Sequence, residues 1–224
     1  LIAGNWKSNK TTSEAMEWLQ KLSAISFQLS AKECSIVLCV PFTLLYPKRR
    51  ELDLLRLPIL LGAQDVSPFE DGAYTGEISA RMIKELAEWV TIGHSERRTH
   101  FYESEELLIR KVLQAKKEGL RIIYGIPDSQ TSVPSDVDIV AYEPPSAIGA
   151  GKSAEDPIEA NKVIEDITVK QNISAETLMI YGGSVSPENI ASFVAEPSID
   201  GIFSGRASLD AEKFSELIQN ASNA

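Results

Sequence analysis

Within these 224 residues, the side chains best suited to chemistry gather where short apolar runs end. Asn5 and Lys7 close the first such run, Gln64 and Asp65 follow the third, and His94, Ser95 and Glu96 follow the fourth. Glu143 closes the sixth run, Gly182, Gly183 and Ser184 follow the seventh, and Gly205 and Arg206 follow the eighth. Taken singly, each has a plain reading. An Asn after a strand is often a turn former, a Lys there is usually just solvated, and a lone His is most often structural. Together they offer a fixed cation, a histidine and a carboxylate for acid/base work, and glycine turns that bring backbone N–H groups close to an anion. The other histidine, His100, lies in a polar stretch and reads as a surface residue without a role.

For these residues to meet, the runs before them must belong to one sheet. Apolar, β-branched stretches predict strands at 1–5, 34–40, 58–63, 89–93, 120–126, 138–142, 178–181 and 199–204. Helical spacing predicts helices at 12–28, 45–55, 79–87, 103–118, 156–171, 187–194 and 211–221. The first opens on Thr12 or Ser13 as a cap and repeats Ala15, Trp18, Leu19 and Leu22 along one face. Strand–helix alternation implies a parallel sheet covered by helices. Eight units with no Gly/Ser/Pro-rich linker favour an α/β fold of the (β/α)8 TIM-barrel kind, one compact domain over 1–224, rather than an open sheet. That allows about 28 residues per unit, near the lower limit for such an element. The shortfall falls at 127–137, where two prolines and several turn formers leave room for about one helical turn, so the fifth helix is expected to be absent or vestigial. In a barrel all the polar residues above share the C-terminal rim of the strands.

Composition narrows the function classes. The 22 Lys+Arg against 32 Asp+Glu give a net charge of -10, which argues against a general nucleic-acid binder. A small anion remains compatible, because one Lys and a few N–H groups suffice to hold it. No apolar run approaches the roughly 20 residues of a membrane span, and the first residues carry no signal-peptide pattern; the expected setting is the cytoplasm. Cys34 and Cys39, five apart on one strand, point to opposite faces and read as core residues rather than a disulfide.

Four stretches in series resemble the triosephosphate isomerase family: Gly4-Asn5-Trp6-Lys7; Ile92 to Arg98; Ala141-Tyr142-Glu143-Pro144 with Ala147-Ile148-Gly149; and Tyr181-Gly182-Gly183-Ser184-Val185. The resemblance implies an intramolecular aldose–ketose isomerase that interconverts dihydroxyacetone phosphate and D-glyceraldehyde 3-phosphate through an enediolate, in glycolysis or gluconeogenesis, with no cofactor and no metal. It implies Glu143 as the base and His94 as a neutral electrophile, its imidazole kept uncharged by the helix start at Ser95. Lys7 is implied as the electrostatic stabiliser, held by Glu96, with Asn5 donating a further hydrogen bond to substrate. Gly149, Ser184, Gly205 and Arg206, the last through its backbone N–H, are implied to bind phosphate. The stretch 144–152 is implied to be a lid, with Ile148, Tyr181 and Phe203 as lid and clamp residues that keep water from the enediolate.

The sequence also departs from the family pattern. Pro145-Ser146 stand where Val-Trp is more frequent, Ala150 where Thr is, and Ser8 where Met usually follows the lysine. Phe203-Ser204 replace Leu-Val, Arg206 replaces the second of two glycines, and Tyr124-Gly125-Ile126-Pro127 lack the usual Cys and Glu. None of these removes a group that proton transfer requires. The loop 65–77 resembles the one by which family members dock into a neighbouring subunit, with Thr75 approaching the partner's Asn5 and the partner's Lys7. A homodimer is therefore expected, and a tetramer is also compatible.

Overall fold

The structure, a computed structural model, describes residues 1–25, 35–149 and 151–224. Eight strands close into one barrel in chain order: β1 (Ile2–Asn5), β2 (Ile36–Val40), β3 (Ile59–Ala63), β4 (Trp89–Ile92), β5 (Arg121–Ile126), β6 (Ile139–Tyr142), β7 (Leu178–Tyr181) and β8 (Gly201–Ser204). All neighbours are parallel, and β8 returns to β1 through pairs such as Ala3 with Phe203. Outside lie α1 (Thr12–Ile25), α2 (Phe42–Leu55), α3 (Ala80–Lys84), α4 (Ser95–His100), α5 (Glu105–Lys117), α6 (Pro157–Lys170), α7 (Ile190–Val194) and α8 (Ala211–Ser222).

Both faces of the strands are buried, which is why they read as unbroken apolar runs. One set of alternate residues fills the barrel interior: Ala3, Val37, Cys39, Trp89, Ile123, Ile139, Ala141, Ile180 and Phe203. The other set, Ile2, Leu38 and Ile122 among them, packs outward against the helices. The two-residue period places the site. Asn5 continues the inward series of Ala3, and Glu143 that of Ile139 and Ala141, one step beyond the packed interior.

The helices begin on local caps. Ser79, Ser104, Asp156 and Asp210 each accept from a backbone N–H in the first turn of α3, α5, α6 and α8. The second helix starts at Phe42 rather than 45, with Pro47 inside it; a proline reads from sequence as a first-turn residue. The seventh starts at Ile190 rather than 187, after Asn189. The expected end of the first helix, 26–28, and Cys34 lie outside the described residues; Cys39 is buried, and its thiol is pushed up to about 12 by burial.

No helix joins β5 to β6. Residues 127–138 form turns, with Asp128 Oδ1 accepting from the backbone N–H of Gln130 and Thr131. Gln171, at the end of α6, holds this segment by accepting from Val133 N and donating to Thr131 O, both at 2.8 Å. Between α1 and α2 lies a fully buried lysine, Lys48. Its Nζ donates to Ala15 O at 2.7 Å and sits 4.3 Å from the Trp6 ring and 5.0 Å from the Trp18 ring. Burial lowers its pKa to about 6, with Lys10 adding and Glu51 opposing, while the two indole faces favour the charged form.

Candidate active site

Lys7 is aimed by its backbone. It holds φ 51, a left-handed conformation that costs a non-glycine residue about 1 kcal/mol or more. Asn5 and Gln64 stabilise that turn. Lys7 N donates to Asn5 Oδ1 at 2.9 Å, and Gln64 Nε2 lies 3.1 Å from both Asn5 Oδ1 and Lys7 O and 3.2 Å from Cys39 O. The Lys7 ammonium then meets Glu96 Oε1 at 2.6 Å. A Cβ added to Gly205 would stand only 4.0 Å from Lys7 Nζ, so the glycine turn after β8 lies against the cation.

Gly93 turns the chain with φ 74, and His94 caps α4. Its Nδ1 accepts from Glu96 N at 3.2 Å, so in the neutral ring the proton sits on Nε2. Nε2 faces Glu143 Oε1 at 3.2 Å. The other oxygen of Glu143 accepts from Ser95 N at 3.1 Å. Both side chains are buried, and Phe203 stands edge-on to the imidazole at 6.3 Å. Space for the carboxylate comes from two glycines: a Cβ at Gly182 would lie 2.7 Å from Glu143 Cγ, and one at Gly125 3.1 Å from Glu143 Oε2.

These residues open onto one cavity of about 550 Å³, lined also by Ile148, Gly149, Ser184, Gly205 and Arg206. Every residue expected at the site from the sequence therefore lies at this rim, with Tyr181 just behind it. Two expected phosphate ligands also touch the 144–152 stretch: Ser184 Oγ donates to Ala147 O and Arg206 Nη2 to Gly149 O, both at 2.9 Å. Tyr181 OH accepts from Glu155 N at 3.0 Å, and burial pushes its phenol up to about 12. The sequence places Gln64 at a strand end without a role and reads Ser95 only as the helix start beside His94, not as a donor to Glu143; the strand-end position is the available signal for both. The space left by Gly125 and Gly182 has none.

The arrangement can take a proton with Glu143, donate a hydrogen bond from His94 Nε2–H, and hold negative charge with Lys7 and the N–H groups of the glycine turns. Among the described residues no group of three or more His, Cys, Asp or Glu could hold a metal ion, and no helix is long and apolar enough to cross a membrane.

Comparison with known proteins points the same way. Residues 1–221 match the family model described as triosephosphate isomerase. The chain is 36% identical to the triosephosphate isomerase of Corynebacterium efficiens, over 100% of this chain and 97% of that one. It is 40% identical to that of Trichodesmium erythraeum, over 97% of each. The crystal structure of triosephosphate isomerase from Bartonella henselae superposes with a TM-score of 0.81 at 31% identity, covering 100% of this chain and 98% of that one.

Proposed function

The chain belongs to the triosephosphate isomerase family and interconverts dihydroxyacetone phosphate and D-glyceraldehyde 3-phosphate, and we propose that it does so with Glu143 as base, His94 as electrophile and Lys7 as electrostatic stabiliser. The reaction serves glycolysis and, being reversible, gluconeogenesis. The observation that carries the assignment is the contact of Glu143 with His94 Nε2 at 3.2 Å on the cavity that also holds Lys7.

In the proposed sequence, Glu143 leaves the Ser95 N–H and turns to the substrate carbon. It takes the proton there, and the electron pair moves onto the carbonyl oxygen. His94 Nε2–H, released from Glu143, donates to that oxygen and then relays a proton between the two oxygens of the enediolate. Lys7, fixed by Glu96, and Asn5 stabilise the oxyanion. Glu143 returns its proton one carbon over. Backbone N–H groups at Gly149, Ser184, Gly205 and Arg206 hold the phosphate, and the 144–152 lid, with Ile148, Phe203 and Tyr181, keeps water from the intermediate. Glu143→Gln is expected to lower kcat about 10³-fold in a coupled assay, with the fold intact by circular dichroism. Near-wild-type turnover would overturn the role of that residue.

We also propose a homodimer through 65–77. Residues 70–77 are exposed throughout, Tyr74 stacks on Phe69 at 4.1 Å, and Tyr46, Phe101 and Tyr102 add exposed aromatic surface. Light scattering is expected to give a dimer that Thr75→Arg dissociates; a monomeric wild type would refute it. The cytoplasm follows as the proposed setting, where phosphorylated trioses are held; isomerase activity recovered only outside the cell would exclude it.

A further inference from the structure

Glu155 stands where the chain rejoins the rim after the lid, and it touches three separate parts of that rim. Its backbone N–H donates to Tyr181 OH at 3.0 Å. Its carboxylate Oε1 accepts from Ser146 Oγ at 3.2 Å, and the same carboxylate lies near the Tyr142 hydroxyl and raises its pKa. Tyr142 and Tyr181 end the adjacent strands β6 and β7 in register. Their rings lie 6.2 Å apart, and Tyr181 stacks on Phe193 at 4.5 Å. The two phenols are thus fixed points of the scaffold. Ser146, in contrast, lies three residues beyond Glu143 at the start of the loop, and Glu155 lies past its end. Between its carboxylate and its backbone N–H, one residue joins both ends of the loop to each other and to the end of β7.

We propose that Glu155 is a positioning residue for the lid: by clasping Ser146 to Tyr142 and Tyr181 it pins both loop ends, so that only the residues between them are ordered on closure. The inference rests on the isomerase reading above and adds to it a residue that touches no substrate. Every additional residue that must be fixed opposes closure through lost backbone entropy, so shortening the mobile stretch favours the closed state. A carboxylate suits the task because it accepts from two hydroxyls at once in charge-assisted bonds. Burial, then the charge of Glu155, pushes the Tyr142 phenol up, so its hydroxyl stays protonated at working pH and can donate to the carboxylate, whereas Tyr181 OH accepts from the Glu155 backbone. The clasp also gives Ser146 a function at the place where the family more often carries a tryptophan.

The test measures isomerisation and release of inorganic phosphate together, because an intermediate exposed to water breaks its C–O bond to phosphate. Glu155→Ala is expected to lower kcat/KM about tenfold, the effect of losing hydrogen bonds to a charged group, and to raise the fraction of turnovers ending in free phosphate. Glu155→Gln restores part of both values, and Tyr142→Phe shifts them in the same direction as Glu155→Ala. The double variant Glu155→Ala/Tyr142→Phe is no worse than Glu155→Ala. Glu159→Gln, which removes an exposed carboxylate paired with Lys162 on α6, changes neither value. Wild-type isomerisation and phosphate release in Glu155→Ala would overturn the inference. So would a loss of activity that follows a fall in Tm with unchanged phosphate release. Absence of isomerase activity in the wild-type protein would instead overturn the parent reading.

Discussion

Two clusters of charged side chains flank the start of α4, and they differ in how completely they satisfy themselves. In one, Asp65, Arg97, Glu103 and Lys111 form a ring. Lys111 Nζ meets Asp65 at 2.6 Å and Glu103 at 2.5 Å, and Arg97 meets both carboxylates at 2.8 Å. The charges cancel, and Glu103 Oε2 alone lacks a partner. Burial still pushes the Asp65 carboxyl up, against the pull of Lys111 and Arg97. In the other cluster, Lys7, Glu96, His94 and Glu143 form an open chain. Lys7 spends one of its three donors on Glu96, and Glu143 is held by one backbone N–H and one imidazole, both of which a substrate can replace. A closed set of charges braces the scaffold, whereas one with spare valence facing a cavity is available for a ligand.

Substitutions that remove one lysine from each cluster separate the two. Lys7→Met is expected to have the larger effect, lowering kcat/KM about 10³-fold through loss of the cation at the developing oxyanion, while the unfolding midpoint stays put. A large fall in stability with activity retained would erase the distinction. Lys111→Met is expected to invert that result. It leaves one buried and one half-buried carboxylate to a single arginine and costs about 3 kcal/mol in urea unfolding, with kcat per folded molecule close to wild type. A kinetic defect without a stability loss would move the ring into the site.

Lys48 sharpens the comparison as a buried lysine amine with neither a carboxylate ring nor a ligand. Its folded pKa of about 6 lies below the ordinary value of 10.5. The unfolded chain therefore binds the extra proton between those values, and stability rises with pH across that window. Lys48→Met is expected to add about 2 kcal/mol at pH 7 and to flatten the slope of unfolding free energy between pH 6 and 9. An unchanged slope would show that the indole faces keep the amine charged.

Much of this is legible in the amino-acid sequence. Strands buried on both faces announce themselves as continuous apolar runs, and the polar residues that interrupt them mark the rim. The parity of Asn5 and Glu143 follows from a two-residue period alone. Helix starts are less legible, as at Phe42, three residues ahead of the expected start, with Pro47 inside the helix. The supporting bonds are illegible for a different reason. Gln64 reaches Asn5, Lys7 and Cys39, and Gln171 reaches Thr131 and Val133, across long stretches of chain. Barrel closure creates those contacts, and no local pattern encodes them. Glu155 is the same case: a loop carboxylate acquires its meaning only when Tyr142 and Ser146 are brought to it.

The link between β5 and β6 carries one further consequence. Residues 127–138 form the shortest of the seven strand-to-strand crossovers, and about a dozen residues is the least that joins parallel neighbours. Surface loops are ordinarily where a chain tolerates insertion and loss alike. Here the tolerance runs one way: the segment can lengthen, but deleting even two residues would pull β6 out of register with β5, and thermal unfolding of such a deletion reads that out. The part of the barrel that has already lost its helix has no slack left to lose.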